Sequence, residues 1–324
     1  MGTVNFSLQS FYDSTSELVG FKSGILLSDL TMNKILLEKY NNEDFLIQND
    51  VRKHVRIKSG DIQEMIKYLR IRIGNLPPSD LSIDYGLIRP YLMSEDGMIN
   101  YSKLSNYARS LRDVGQLTKA ALYKRIKQKN EHLTDDVINA FVITILAELD
   151  DEIYYPPNSR RQMDQVMLDK LFDEEIKPSS DGAFLDQKFL DYLAVNGHEI
   201  EGIHWRNFER FIAEYFKRKN YHIVLGPGTN DGGVDIRAFN PDNLKDPLIL
   251  IQCKRHSTNN QVDINTVKAF HADLAYEDVP HGLIATTGYI ASGGKKVVEA
   301  RNYNISFAEN EKVKQWSTAM WQFS

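Results

Sequence analysis

The chain has one cysteine, Cys253, in 324 residues. That excludes an intramolecular disulfide and a multi-cysteine metal site, and it suits a reducing cytoplasm. No apolar run approaches the ~18 residues that a membrane-spanning helix needs. The opening MGTVNFSLQS lacks a basic stretch followed by an apolar one, so it does not read as a signal peptide. MGTVNFS fits the loose MGxxx[ST] pattern of myristoylation, but no polybasic stretch follows, and no membrane partner is expected. A basic balance is missing too: 39 Lys and Arg stand against 44 Asp and Glu, a formal net charge of −5. This does not exclude a nucleic-acid partner, because only the surface near the phosphates must be basic. The sequence has no internal repeat and no low-complexity tract.

The 42% hydrophobic and 26% charged residues are ordinary for globular domains, and the length allows two or three of them. The first half reads as mainly helical. Asp29 leads into NKILLEKY, Asp61 is placed to cap IQEMIKYLRIRI, and NLPPS (75–79) breaks the pattern. Further helices are expected over Tyr101–Arg112, Leu117–Gln128 and Thr134–Leu149, the last opened by Thr134 and two aspartates. LTKAALYKRIKQK and LTDDVINAFV fit either an ordinary helical bundle, the favoured reading, or a helix-turn-helix with a basic second element. YYPPNSRR (154–161) and KPSSDG (177–182) read as connections. The expected domains are a helical region over 1–155, a helical connector over 156–200 and an α/β domain over 201–324. From His204 the pattern reads helix, three strands, helix, strand, helix, strand.

Chemistry-bearing residues gather in this last part. In HWRNFERFIAEYFKRKN, Trp205, Phe208, Ile212 and Phe216 mark an apolar helix face. Glu209 falls on its edge, with Arg210, Glu214 and Lys217 on the side read as solvated. A carboxylate drawn toward a core needs a cation, a metal or hydrogen bonds; alternatively, Glu209 is a rim residue whose stem covers apolar surface. Asp235 opens the strand VDIRAF beside glycines, and PLILI is too uniformly apolar for a one-sided strand, so it reads as the centre of a sheet. Gln252 and Lys254 follow on that strand, two residues apart and therefore on one face, with Cys253 on the other. A carboxylate, an amide oxygen and an ammonium at adjacent strand ends suit Mg²⁺ beside a water, with the lysine orienting that water or neutralising charge at phosphorus. The alternative is a core strand emerging into solvent.

These residues resemble the catalytic module of Mrr-type restriction endonucleases, a branch of the PD-(D/E)xK nucleases. Four blocks carry the resemblance in order: NFERFIAEYFKRKNY, TNDGGVDI (229–236), ILIQCKRH (249–256) and GLIATTGYIASGGKKVVEA (282–300) with ISFAE after it. It spans about Ile203 to Trp316, a little over a third of the chain. It implies a restriction-endonuclease-like α/β fold, a mixed central sheet flanked by helices, following a mainly α-helical region. It implies that Asp235 binds metal, that Gln252 stands where most relatives outside this branch carry Asp or Glu, that Lys254 is the catalytic lysine, and that Glu209 completes the metal site. The expected metal set is thus Asp235, Glu209, Gln252 and the backbone carbonyl of Cys253, for Mg²⁺ or Mn²⁺ in its place.

Weaker expectations concern DNA. Arg255 and His256 are phosphate candidates by position alone, and His256 is not expected to be a general base. Thr286 and Thr287 either meet phosphate or simply end a buried strand. Lys295 and Lys296, after Gly293 and Gly294, either bind backbone phosphate at a helix N-terminus or are ordinary exposed lysines. Asp231 holds its turn or touches an outer-shell water. The implied function is metal-dependent cleavage of DNA phosphodiesters, with a 3′-oxygen leaving, in restriction or anti-phage defence. Expected partners are DNA, a second copy of the chain, and an activating protein or ligand acting through the first half. The alternative is a catalytically silent binding module on a nuclease-like scaffold.

Overall fold

The computed structural model of the chain describes residues 3–43, 46, 50, 52–76, 81–92, 95–151, 165–179, 182–228, 233–256 and 260–322. YYPPNSRR, the two prolines of NLPPS and Asp231 lie outside them. The chain opens with β1 (Thr3–Ser7), α1 (Leu8–Ser23), β2 (Ile25–Leu26), α2 (Asp29–Lys39), β3 (His54–Lys58) and α3 (Ser59–Arg72). Ser7 and Ser28 cap α1 and α2, their side chains accepting from the backbone N–H of Ser10 and Thr31. β1 and β3 pair antiparallel, Thr3 opposite Lys58, and HVRIK alternates exposed and buried along the pair. Asp61 does not cap α3: the helix starts two residues earlier, with Lys58 at the N-cap and no side-chain cap bond. Asp61 instead lies in the first turn, where a negative charge faces the positive end of the helix dipole.

Four helices follow as a unit of their own: α4 (Leu81–Leu92), α5 (Glu95–Asp113), α6 (Lys119–Lys129) and α7 (Asp135–Asp151). They share one core that includes Ile88, Leu104, Leu122, Ile126, Ile138, Phe141 and Ile145. Thr118 caps α6, and Lys127 and the Tyr123 hydroxyl both hold Asp135 at the start of α7. This is a helical bundle, as the apolar periodicity predicts.

The remainder runs β4 (Val166–Met167), α8 (Lys170–Asp173), α9 (Gln187–Val195), a 3₁₀ turn (Gly197–Gly202), α10 (Trp205–Arg218), β5 (His222–Leu225), β6 (Ile236–Phe239), β7 (Ile249–Lys254), β8 (Gln261–Val262), α11 (Ile264–Glu277), β9 (His281–Thr286), β10 (Tyr289–Ile290), α12 (Ser292–Arg301), β11 (Ile305–Ala308) and α13 (Asn310–Ala319). Five strands form a mixed sheet in the order β11-β9-β7-β6-β5. β5, β6 and β7 pair antiparallel, while β7, β9 and β11 pair parallel. The apolar β7 is the central strand, as PLILI implies.

Alternation along the strands makes two cores. Ile236, Ile251, Leu283 and Ala285 face Phe208 and Ile212 of α10 and Trp316 of α13. Leu250 and Ile284 face Val267, Phe270 and Leu274 of α11, with Val297 and Val298 of α12 against them. Each such fully buried side chain contributes about 1.5–3 kcal/mol. The architecture is therefore the restriction-endonuclease-like layering of helix, mixed sheet and helix.

The compact units do not follow the expected divisions at 155 and 200. One unit is Met1–Asn75 with Gln165–Gln322, and the other is Leu76–Asp164. The reason is the core on the α10 side. It continues through Leu8, Phe11, Met32, Leu36, Met65 and Leu69, so the first 75 residues are packed into it. β2 and β4 pair parallel across that long sequence gap, Ile25 opposite Val166. The helical bundle is thus an insertion between α3 and β4.

Candidate active site

Asp235 stands just before β6 with its backbone held on both sides. Its N–H donates to the Ile251 carbonyl at 3.1 Å, and its carbonyl accepts from Gly226 N–H at 2.7 Å. Its Oδ2 accepts from the Cys253 N–H at 2.6 Å, a charge-assisted bond that fixes the carboxylate against β7. Gln252 is 6% exposed. Its Nε2 donates to the Gly233 carbonyl at 2.8 Å, which sets the orientation of the amide. Its Oε1 is buried and has no hydrogen-bond partner among the described residues. An unsatisfied buried acceptor costs about 1–3 kcal/mol, and such an oxygen is what a hard divalent cation takes as a ligand. Gly233 has φ 90°, and a Cβ there would lie 3.2 Å from Gln252 Nε2, so glycine serves both the turn and the amide.

Glu209 is 5% exposed, and its Oε2 accepts from Arg206 Nη1 at 2.6 Å. Arg206 Nη2 also donates to the Gly226 carbonyl at 2.7 Å. The helix around them is more deeply buried than its amphipathic pattern suggests. Arg210 and Glu214 are buried, not solvated, because segments before α10 lie over that side. Glu214 accepts from the Phe184 N–H, Arg210 pairs with Glu175, and Asn207 donates to the carbonyls of Leu171 and Glu174. Lys217 is exposed as expected. Trp205, placed on the apolar face by spacing, is 40% exposed; it is the first residue of the helix, and its ring lies tilted against that of His204 instead. The Arg210 guanidinium bonded to Glu175 holds that carboxyl below the usual range.

One side chain reports where these charges meet. The Cys253 thiol is pushed well above its ordinary value, first by burial, then by the Asp235 and Glu209 carboxylates, against the opposing pull of Lys254 and Arg206. Charged groups of α10 and β7, and Asp235 just before β6, therefore all act on this thiol. Among the described residues no three His, Cys, Asp or Glu side chains form a metal cluster. The expected donors, the carboxylates of Asp235 and Glu209, the amide oxygen of Gln252 and the carbonyl of Cys253, are all oxygens, and a set of that kind fits Mg²⁺ or Mn²⁺.

The weaker DNA candidates are placed unevenly. Thr286 and Thr287 are buried, and their hydroxyls donate to the carbonyls of Lys254 and His256; Asn310 donates to the Thr287 carbonyl. Both threonines lock strand ends and present no free hydroxyl to a phosphate. The His256 ring is held below its ordinary pKa, first by desolvation, then by Lys254 and Arg255, so it is neutral near pH 7. Arg255 is exposed and reaches the Glu201 carbonyl. Lys295 pairs with Glu309 at 2.7 Å, and Lys296, which follows it in α12, is exposed. Arg206 is the site residue that sequence reasoning missed; its position three before Glu209, the spacing of a helical ion pair, was the available signal.

A comparison with protein families agrees with the fold. The Mrr catalytic family, described as a restriction endonuclease, matches residues 200–317. An uncharacterized protein, y4cE, of Sinorhizobium fredii (strain NBRC 101917 / NGR234) is 21% identical over 122 residues, 37% of this chain and 31% of that protein. The chain thus spans about a third of the length of this curated relative. Among solved structures, the MspJI restriction endonuclease in complex with a 27-mer oligonucleotide is 18% identical, with TM-score 0.29, over 44% of this chain and 32% of that one. Residues 200–317 of the chain are therefore similar to the catalytic domain of Mrr-type restriction endonucleases.

Proposed function

We propose that the chain is a metal-dependent DNA endonuclease that hydrolyses phosphodiester bonds in restriction or anti-phage defence. The observation that carries this reading is the buried Oε1 of Gln252, unpartnered among the described residues, on the strand whose Cys253 N–H holds the Asp235 carboxylate. Asp235, Glu209, Gln252 Oε1 and the Cys253 carbonyl would hold the cation. A bound Mg²⁺, or Mn²⁺ in its place, would supply a water of lowered pKa and positive charge beside the phosphoryl oxygens. Lys254 adds a second positive charge at the reacting phosphate and orients the attacking water. The Cys253 N–H keeps Asp235 in one rotamer, and the Gly233 carbonyl keeps the Gln252 oxygen turned into the site. Arg255 and Lys296, both exposed, are proposed backbone-phosphate contacts. A second copy of the chain supplies the second cut of a duplex, and regions outside the nuclease domain control targeting or activation.

The test is relaxation of supercoiled plasmid in Mg²⁺ by wild type, Asp235→Ala and Lys254→Ala. Loss of one stabilising group costs about 10²–10³ in rate, so both variants should nick at least about a hundredfold more slowly. Equal nicking by all three proteins overturns the assignment. No cleavage of any nucleic acid, with binding retained, supports the silent module instead.

A further inference from the structure

We infer that Arg206 is a resident counter-cation for Glu209, holding that carboxylate in the site until a divalent cation takes it. The inference rests on the metal-site reading above and adds a regulator to it. Arg206 is 8% exposed, and its fork is divided between two acceptors, Glu209 Oε2 and the Gly226 carbonyl. Gly226 in turn donates to the Asp235 carbonyl. One guanidinium therefore ties the helix carboxylate to the loop that carries the strand carboxylate. The loop also closes over it: at Gly228, φ 86°, a Cβ would lie 3.0 Å from Arg206 Nη1.

A buried carboxylate stays ionised only beside a countercharge or enough hydrogen bonds. Arg206 supplies that charge from within the chain. It also has a second anion: its Nε lies 3.7 Å from Glu175 Oε1, a carboxylate already ordered by Arg210. When Glu209 turns to a divalent cation, Arg206 keeps the Gly226 carbonyl and Glu175. Arg206 is thus a positioning residue that competes with the metal for one ligand.

Calorimetric titration of the full chain with Mn²⁺, without DNA, tests this. A neighbouring opposite charge shifts a carboxylate's affinity for a proton by ~1–3 log units, and the same field acts on Mn²⁺. Arg206→Met should therefore bind Mn²⁺ about tenfold more tightly or better, and in the Glu209→Gln background the same change should have little effect. Equal or weaker binding by a folded Arg206→Met variant overturns the inference, as does an undiminished effect beside Glu209→Gln. If Arg206→Met does not fold, Arg206→Gln carries the test. Its amide removes the charge and can still donate a hydrogen bond, so tighter binding is again expected and unchanged affinity again overturns. Wild-type binding that Asp235→Ala abolishes, with no effect at Arg206, removes this inference alone. Absence of Mn²⁺ binding by wild type removes the metal-site reading and the inference together.

Discussion

Gln252 and Lys254 show what a residue position can announce. Their two-residue spacing on an apolar strand puts them on one face without any knowledge of the fold. The bond from Gln252 Nε2 to Gly233 could not be read, because it depends on a turn of positive φ meeting a strand 19 positions later. Arg206 was overlooked for a related reason: an arginine on a helix is most often solvated, and only the loop above makes it a buried fork. The convergence of charge has a consequence at Cys253. With its pKa raised, the thiol carries little thiolate. In native protein at pH 8 it should react with a thiol reagent far more slowly than after unfolding in guanidinium. Asp235 contributes to the shift, so Asp235→Asn should label faster than wild type while remaining slower than unfolded chain. Labelling rates that do not respond to that substitution would place Asp235 away from Cys253.

Elements were legible in proportion to how local their causes are. The order of α10, β6, β7, α11, β9, α12 and β11 follows from periodicity and turn residues. The two-residue strands β8 and β10 do not, since they exist only as a parallel pair joining Gln261 to Tyr289. The burial of Arg210 and Glu214 was likewise invisible in α10 itself, whose pattern is strongly one-sided; the covering segments lie about 30 residues upstream. Helix caps are the opposite case. Asp263 precedes α11, and its side chain accepts from Thr266 N–H at 2.7 Å. These bonds hold its pKa below the ordinary value. A depressed carboxyl stabilises the fold above its unfolded pKa of about 3.9, and this is lost as pH falls through the lower folded value. Asp263→Ala should therefore lower Tm at pH 7, and the gap to wild type should narrow as pH drops below about 4. A gap that is constant with pH would mean that the charged cap contributes nothing.

At the scale of the molecule the sequence misleads, because chain order is not packing order. Residues 1–75 read as the start of a separate helical domain, yet they complete the core beneath α10. What joins them is non-local: β1 with β3, β2 with β4, the Asn196 side chain donating to the Arg72 carbonyl, and the Trp321 indole N–H donating to the Gly74 carbonyl. At Gly74, φ 76°, a Cβ would lie 2.0 Å from the Asp191 carbonyl oxygen, so the end of α3 lies directly on α9. None of this has a period or a motif. It predicts which truncations fold. A fragment of residues 200–324 contains the whole family match but exposes the apolar groups of α10 and α13 that Leu8, Phe11, Met32 and Leu69 help to enclose. Such a fragment should aggregate or unfold without cooperativity. Replacing residues 76–164 by a flexible Gly/Ser linker removes only a unit with its own core, and the product should keep a single cooperative thermal transition. Circular dichroism melts of the two proteins decide the matter. Cooperative unfolding of the 200–324 fragment, at a Tm near that of the linker variant, would show that the first 75 residues are dispensable to the nuclease core.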